Sequence, residues 1–191
     1  MKKNQLKAFL LFCLSTIYSC DLNTEIDNKT EIEENDTIKA LVIKVYDGDT
    51  ITIKTDKKCT TGKKCKKNYI HERIRLYGID APEANQEYGQ ESAERLREII
   101  LNQEVEIEVK NIDKYKRIVG KIYYKKYINH LMVEEGMAWA YRHYLEYDTD
   151  PEDQKFITLE ENARKNKIGL WGTENPINPY EWRKKNKNKK K

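Results

Sequence analysis

Apolar and polar or β-branched positions alternate over Leu41 to Tyr46, Thr50 to Lys54 and Ile70 to Ile79, and again over Val105 to Val109 and Ile118 to Tyr124. A period of two is that of a strand with one buried face, so five strands are predicted. The first two are joined by a tight Asp-Gly turn at 47–48, and Gly78 reads as a bulge in the third. Between and after the strands the period changes. Ala93, Leu96 and Ile100 repeat at helical spacing after Gly89, with Asn102 as a stop. A short helix fits His130 to Glu135, ended by Gly136. A longer one starts with Asp150 as cap, Pro151 in the first turn and Glu152 and Asp153 behind it, and buries Phe156, Leu159 and Ala163. Five strands interleaved with three helices fit an α+β domain, a five-stranded OB-type Greek-key β-barrel capped by about three α-helices.

The 191-residue chain has room for one well-cored domain plus tails, and its 13 Tyr and 3 Trp argue for a folded body. A net charge of +4 conceals opposite ends. Seven acids stand against Lys29 alone in residues 21–36, whereas residues 183–191 carry Arg183 and six lysines. Such runs read as solvated tails, the basic one able to touch phosphates or an anionic membrane.

The N-terminus has Lys2, Lys3 and Lys7, then an apolar run from Ala8 to Leu14, then Ser15-Thr16-Ile17-Tyr18-Ser19-Cys20. This is the layout of an export signal, too short to span a bilayer. Cys20, three residues after Ile17 and directly after a small residue, looks like the acceptor of a loose bacterial lipobox. The expectation is an exported protein held on a membrane by a lipid on Cys20; the alternative is a cleaved, freely secreted one. The chain then divides into a signal peptide (1–19), a lipidated cysteine and acidic tether (20–37), one domain (38–182) and a basic tail (183–191).

Candidate chemistry lies in three clusters: Asp47-Gly48-Asp49-Thr50, Asp80-Ala81-Pro82-Glu83 following Arg75, and Asp113-Lys114-Tyr115-Lys116-Arg117. Asp49 and Asp80 offer oxygen ligands suited to a hard cation, and Arg75 and Arg117 offer planar forks that match a phosphate. Glu83 is left to handle a water. Together they read as a metal-dependent phosphodiesterase site. The three histidines, His71, His130 and His143, have no ligand spacing, and no Gly-x-Ser-x-Gly elbow points to a serine hydrolase.

These motifs, with Tyr88 to Ala93, Val133 to Ala138 and Ala163 to Trp171, resemble the staphylococcal-nuclease-like, or thermonuclease, family over roughly residues 38 to 172. The resemblance implies the same barrel, with calcium held by Asp49, Asp80 and the Ala81 carbonyl, Glu83 as general base, and Arg75 and Arg117 on the phosphate. It further implies that Lys114 and Tyr115 contact substrate phosphate and that the Tyr141 ring packs on a base. The expected activity is calcium-dependent endonucleolytic cleavage of DNA and RNA with little sequence preference, leaving 3′-phosphate ends, by a monomer. The rival reading is a non-catalytic nucleic-acid-binding domain of the same fold, against which the complete set of acids and arginines speaks. A surface adhesin on a borrowed fold would rest on the lipobox and basic tail alone.

One departure from the simplest family pattern is the lengthened hairpin Lys57 to Lys67, which carries Cys59 and Cys65 among six lysines. In an exported chain these two cysteines are expected to pair as a disulfide. A metal pair is the competing reading, poorly served by Cys-x5-Cys with no further ligand nearby.

Overall fold

The computed structural model describes residues 32–55 and 70–187. The export signal, Cys20 and the hairpin bearing Cys59 and Cys65 lie outside them.

Five strands close a barrel: β1 (Thr37–Asp47), β2 (Thr50–Thr55), β3 (Ile70–Leu76), β5 (Glu104–Ile112) and β6 (Ile118–Tyr124). The order β3-β2-β1-β5-β6 is antiparallel throughout and is closed by a parallel pairing of β3 with β6. Closure removes the free edges of the sheet. Two short strands, β4 (Ile79–Asp80) and β8 (Trp139–Ala140), pair with each other beside the barrel, and β7 (Lys126–Tyr127) turns back to pair antiparallel with the end of β6.

Inward positions are those the alternation selects: Ile38, Ala40 and Val42, Ile51 and Ile53, Ile74 and Leu76, Val105, Ile107 and Val109, Ile118 and Ile122. In β1 the buried set then jumps from Val42 to Val45, where the pairing with β2 shifts register. A bulge of this kind bends a strand around a small barrel.

Among the described residues, α1 (Gly89–Ile100), α2 (Ile128–Glu134) and α3 (Pro151–Lys165) pack on the barrel core, and a further helix, α4 (Pro179–Lys187), follows. Helix α1 buries Leu96 and Ile100, α2 buries Met132 and Val133, and α3 buries Phe156 and Ile157 in one continuous core. Asp150 caps α3 by accepting from the Glu152 N–H at 2.8 Å, with Pro151 in the first turn as the sequence predicts. Asn129 on α2 is fully buried. Its Oδ1 accepts from Ile122 N–H (2.9 Å), and its Nδ2 donates to the carbonyls of Tyr77 (2.8 Å) and Gly120 (3.2 Å).

The structure corrects the sequence reading at four places. Asp47 pairs with Thr50, so the tight connection is Gly48-Asp49 and Asp47 belongs to β1. Gly78 is not a bulge: at φ +75° it turns the chain out of the barrel, and β4 pairs with β8 instead. The domain begins before residue 38, because Ile32 is buried in the core and Asn35 and Asp36 exchange backbone hydrogen bonds with Val109. It also continues past 182. Residues 183–187 are helical, within a fourth helix that a charge-run reading conceals.

Candidate active site

Asp49 sits on the two-residue turn between β1 and β2. A Cβ on Gly48 would overlap the Ser92 hydroxyl and crowd the Ala81 methyl, so glycine lets this turn seat against α1 and the second acidic cluster. The Asp49 carboxylate accepts from Thr50 Oγ1 (2.9 Å) and from Ala81 N–H (2.7 Å), which ties the first cluster to the second. Asp49 and Asp80 are both buried, at 5% and 1% exposure.

Arg75 joins them. It lies on β3 opposite Thr50 in β2, beside Val119 of β6. One terminal nitrogen of its guanidinium lies 2.5 Å from Asp49 Oδ2 and the other donates to Asp80 Oδ1 at 2.9 Å. Buried carboxylates are tolerable only with such partners. Burial still pushes the Asp80 carboxyl above its ordinary range, aided by the charge of Asp49 and opposed by the guanidinium groups of Arg183 and Arg75. Asp47, half-buried, accepts from Asp49 N–H at 3.1 Å. Burial, followed by repulsion from Asp49, pushes its carboxyl up to about 7.

Glu83 follows Asp80 by one short turn. Its carbonyl accepts from Gln86 N–H (2.8 Å) while its own N–H donates to Gln86 Oε1 (3.2 Å), and Gly89 N–H donates to the Gln86 carbonyl at 3.0 Å. This double clamp starts α1 and fixes where Glu83 stands.

The third cluster is the β5–β6 turn, held by Asp113. Its carboxylate accepts from Tyr115 N–H (2.8 Å), Arg117 N–H (3.0 Å) and Arg117 Nε (2.7 Å). Burial alone would raise this carboxyl, but the bonds from Arg117 and Tyr115 hold it below the ordinary range. Arg117 therefore leans on Asp113 and over the Tyr115 ring, 5.5 Å from its centroid, with Lys114 on the same ring at 5.2 Å.

All three clusters open on one cleft of about 730 Å³, which also takes in Tyr141, Tyr144, Tyr180 and Arg183. The structure brings Asp49, Arg75 and Asp80 into one bonded group, links Glu83 to it through Arg183, and sets Arg117, Lys114 and Tyr115 along the cleft wall. Tyr141, fixed by its N–H to the Gly78 carbonyl (2.8 Å), stacks at a tilt on Tyr144 with ring centroids 4.9 Å apart. Trp139 and Trp171 meet edge to face at 4.4 Å beneath the Arg164 guanidinium.

Sequence reasoning missed Arg183 and Tyr180. Both lie on α4, and Arg183 reaches Asp80 and Glu83 at 2.9 Å. The overlooked signal is Asn178-Pro179 with Glu181 behind it, a helix start: the Asn178 side chain accepts from Tyr180 N–H at 2.9 Å.

A family model described as staphylococcal nuclease homologue matches residues 73–173. A micrococcal nuclease of Shigella flexneri is 35% identical over 157 residues, spanning 77% of this chain and 81% of that protein. An uncharacterized endonuclease of Haemophilus influenzae is 40% identical over 147 residues, 76% of this chain and 73% of its own length. Another from Escherichia coli is 34% identical over 148 residues, 76% of this chain and 85% of its own. The family match begins in β3 and runs through α3, the relatives are covered over most of their lengths, and this chain belongs to the staphylococcal nuclease family.

Proposed function

We infer that this chain, a nuclease by its family and by its named relatives, is a calcium-dependent endonuclease of DNA and RNA with little sequence preference, leaving 3′-phosphate ends. The observation that carries the reading is the Arg75 fork holding Asp49 and Asp80 together in the cleft, with Glu83 one short turn beyond. Phosphodiester hydrolysis needs an oriented water, a neutralised phosphate and stabilisation of added negative charge.

Glu83 is the group placed to orient and deprotonate the water. Its carboxylate is partly exposed to the cleft while its backbone is clamped by Gln86. A general base of this kind contributes roughly 10²–10⁴-fold. Arg75 holds the two aspartates and brings a permanent positive charge to the phosphate. Arg117 brings a second from the β5–β6 turn.

Hard oxygen donors are what calcium takes, and two buried carboxylates with the Ala81 carbonyl fit it. Among the described residues no three His, Cys, Asp or Glu side chains converge on one point, so the other ligand positions would fall to water and substrate. When bound, the cation supplies a charge that polarises a phosphoryl oxygen. Lys114 and Tyr115 would contact further phosphates. Tyr141 would stack on a base, a contact every base can make and therefore sequence-tolerant.

A nuclease gel with calcium or with excess chelator tests the reading, run beside Asp49→Asn and Asp80→Asn. Undiminished cutting in chelator removes the cation. No cutting under any condition, with retained binding of a labelled oligonucleotide, favours the non-catalytic binding domain.

The Cys20 anchor and the Cys59–Cys65 disulfide belong to the same proposal: an exported enzyme held on a membrane, with those two cysteines oxidised. Detergent-phase partition of the wild type against Cys20→Ser tests the anchor. Two free thiols in the oxidised protein would exclude the bridge.

A further inference from the structure

Arg183 stands at the head of a run of lysines, yet its side chain reaches the deepest acid of the cleft. Nη2 donates to Asp80 Oδ2 at 2.9 Å, and Nη1 donates to Asp80 Oδ1 at 3.2 Å and to Glu83 Oε1 at 2.9 Å. With Arg75 on Oδ1, the Asp80 carboxylate accepts three charge-assisted bonds from two guanidinium groups.

The arm comes from a docked base. Pro179 is buried, Gln86 Nε2 donates to the Ile177 carbonyl at 2.6 Å, and half-buried Trp182 borders a depression it shares with Pro82, Tyr88, Trp139 and Leu170. Gln86 is also the residue that clamps Glu83. Helix α4 and the Glu83 turn are thus one unit, and Arg183 closes it from the cleft side.

We propose that Arg183 is a positioning residue of the active site, which sets Asp80 and Glu83 relative to each other and surrenders the Asp80 oxygens to the divalent cation. The proposal rests on the reading of Asp80 as a cation ligand. Calcium takes its oxygens at about 2.3–2.6 Å. Guanidinium N–H groups already take three of the roughly four acceptor positions of the Asp80 carboxylate, and a cation and a guanidinium on one carboxylate repel. Cation loading therefore competes with the Arg183–Asp80 bonds. The bond to Glu83 keeps the guanidinium in the cleft.

The test is calorimetric titration of calcium chloride into the full chain as wild type, Arg183→Gln, Arg183→Lys and, as a control, Arg95→Gln. Arg95 of α1 pairs with Glu135, just after α2, and neither lines the cleft. Arg183→Gln should bind calcium about tenfold more tightly, the scale of one charge-assisted contact no longer to be broken. Arg183→Lys should fall between, keeping a charge but losing the fork, and Arg95→Gln should match the wild type. A residue that merely supported the fold would not tighten a cation site when removed. Finite and equal affinities in wild type and Arg183→Gln, or weaker binding in the variant, overturn the proposal. Absence of calcium binding in every variant overturns the cation reading of Asp80, and the proposal with it.

Discussion

Gly89 lies against the backbone of Glu83 so closely that a Cβ at position 89 would overlap the Glu83 carbonyl oxygen. The first residue of α1 thus decides where the proposed general base stands. Gly89→Ala should push the Glu83 turn outward. A displacement near 1 Å costs on the order of 10²-fold in rate when it misplaces a reacting group. Steady-state kinetics with oligonucleotide binding in parallel should show kcat falling while affinity holds. Equal losses in both would mean that α1 itself had unravelled.

Glu83→Gln keeps the shape of the side chain and its bond to Arg183 but removes the base, so cutting should fall by roughly 10²–10⁴-fold with oligonucleotide binding retained. Arg75→Lys should cost on the order of 10²–10³-fold, since one ammonium cannot span Asp49 and Asp80 as the fork does. Single-turnover rates measure both. Full activity in the Glu83 variant would assign the base elsewhere.

Asn129→Ala should destabilise the protein by about 2–4 kcal/mol, because it leaves Ile122 N–H and the Tyr77 carbonyl without partners in the interior. Urea unfolding checks this. A loss under 1 kcal/mol would mean that the buried amide is replaced by water at little cost.

His130 packs its ring between Tyr127 and Phe156, with centroids 4.3 Å from each, and its Nε2 lies 3.2 Å from the Glu152 carbonyl. Burial, partly offset by Glu152, holds its pKa below the ordinary 6.5. The unfolded chain takes up the proton first as pH falls, so the folded state loses stability below about 6.5 until the lower folded value is passed. Urea unfolding between pH 5 and 8 should show this loss in the wild type and not in His130→Phe. Other groups titrate in both proteins, so parallel curves would place the pH dependence elsewhere.

The strands of the barrel, and helices α1 and α3, are legible in the sequence because each element's burial pattern is local. Ile51 and Ile53, or Phe156 and Leu159, have the period of their own strand or helix. The three acidic and basic clusters are legible for a similar reason: the residues that do related work stand within a few positions of one another. Gly78 was harder. A glycine inside an apolar run reads as a bulge until the pairing of Ile79 with Ala140, 61 residues away, shows that the chain has left the barrel.

What the sequence by itself determined is which residue types lie together on each turn, and hence the chemistry on offer: Asp49, Asp80 and Glu83 as acids, Arg75 and Arg117 as cations. Only the tertiary structure decided how they are shared. It gave Arg75 to both aspartates, leaned Arg117 on Asp113, and brought Arg183 from α4 onto Asp80 and Glu83, 103 and 100 positions away. A guanidinium's partner is whichever carboxylate the fold sets within about 3 Å, and no local period encodes that distance. The run of lysines after Arg183 made the reading harder still, since a basic tail and the basic face of a docked helix have the same composition and differ only in what Trp182 and Pro179 bury.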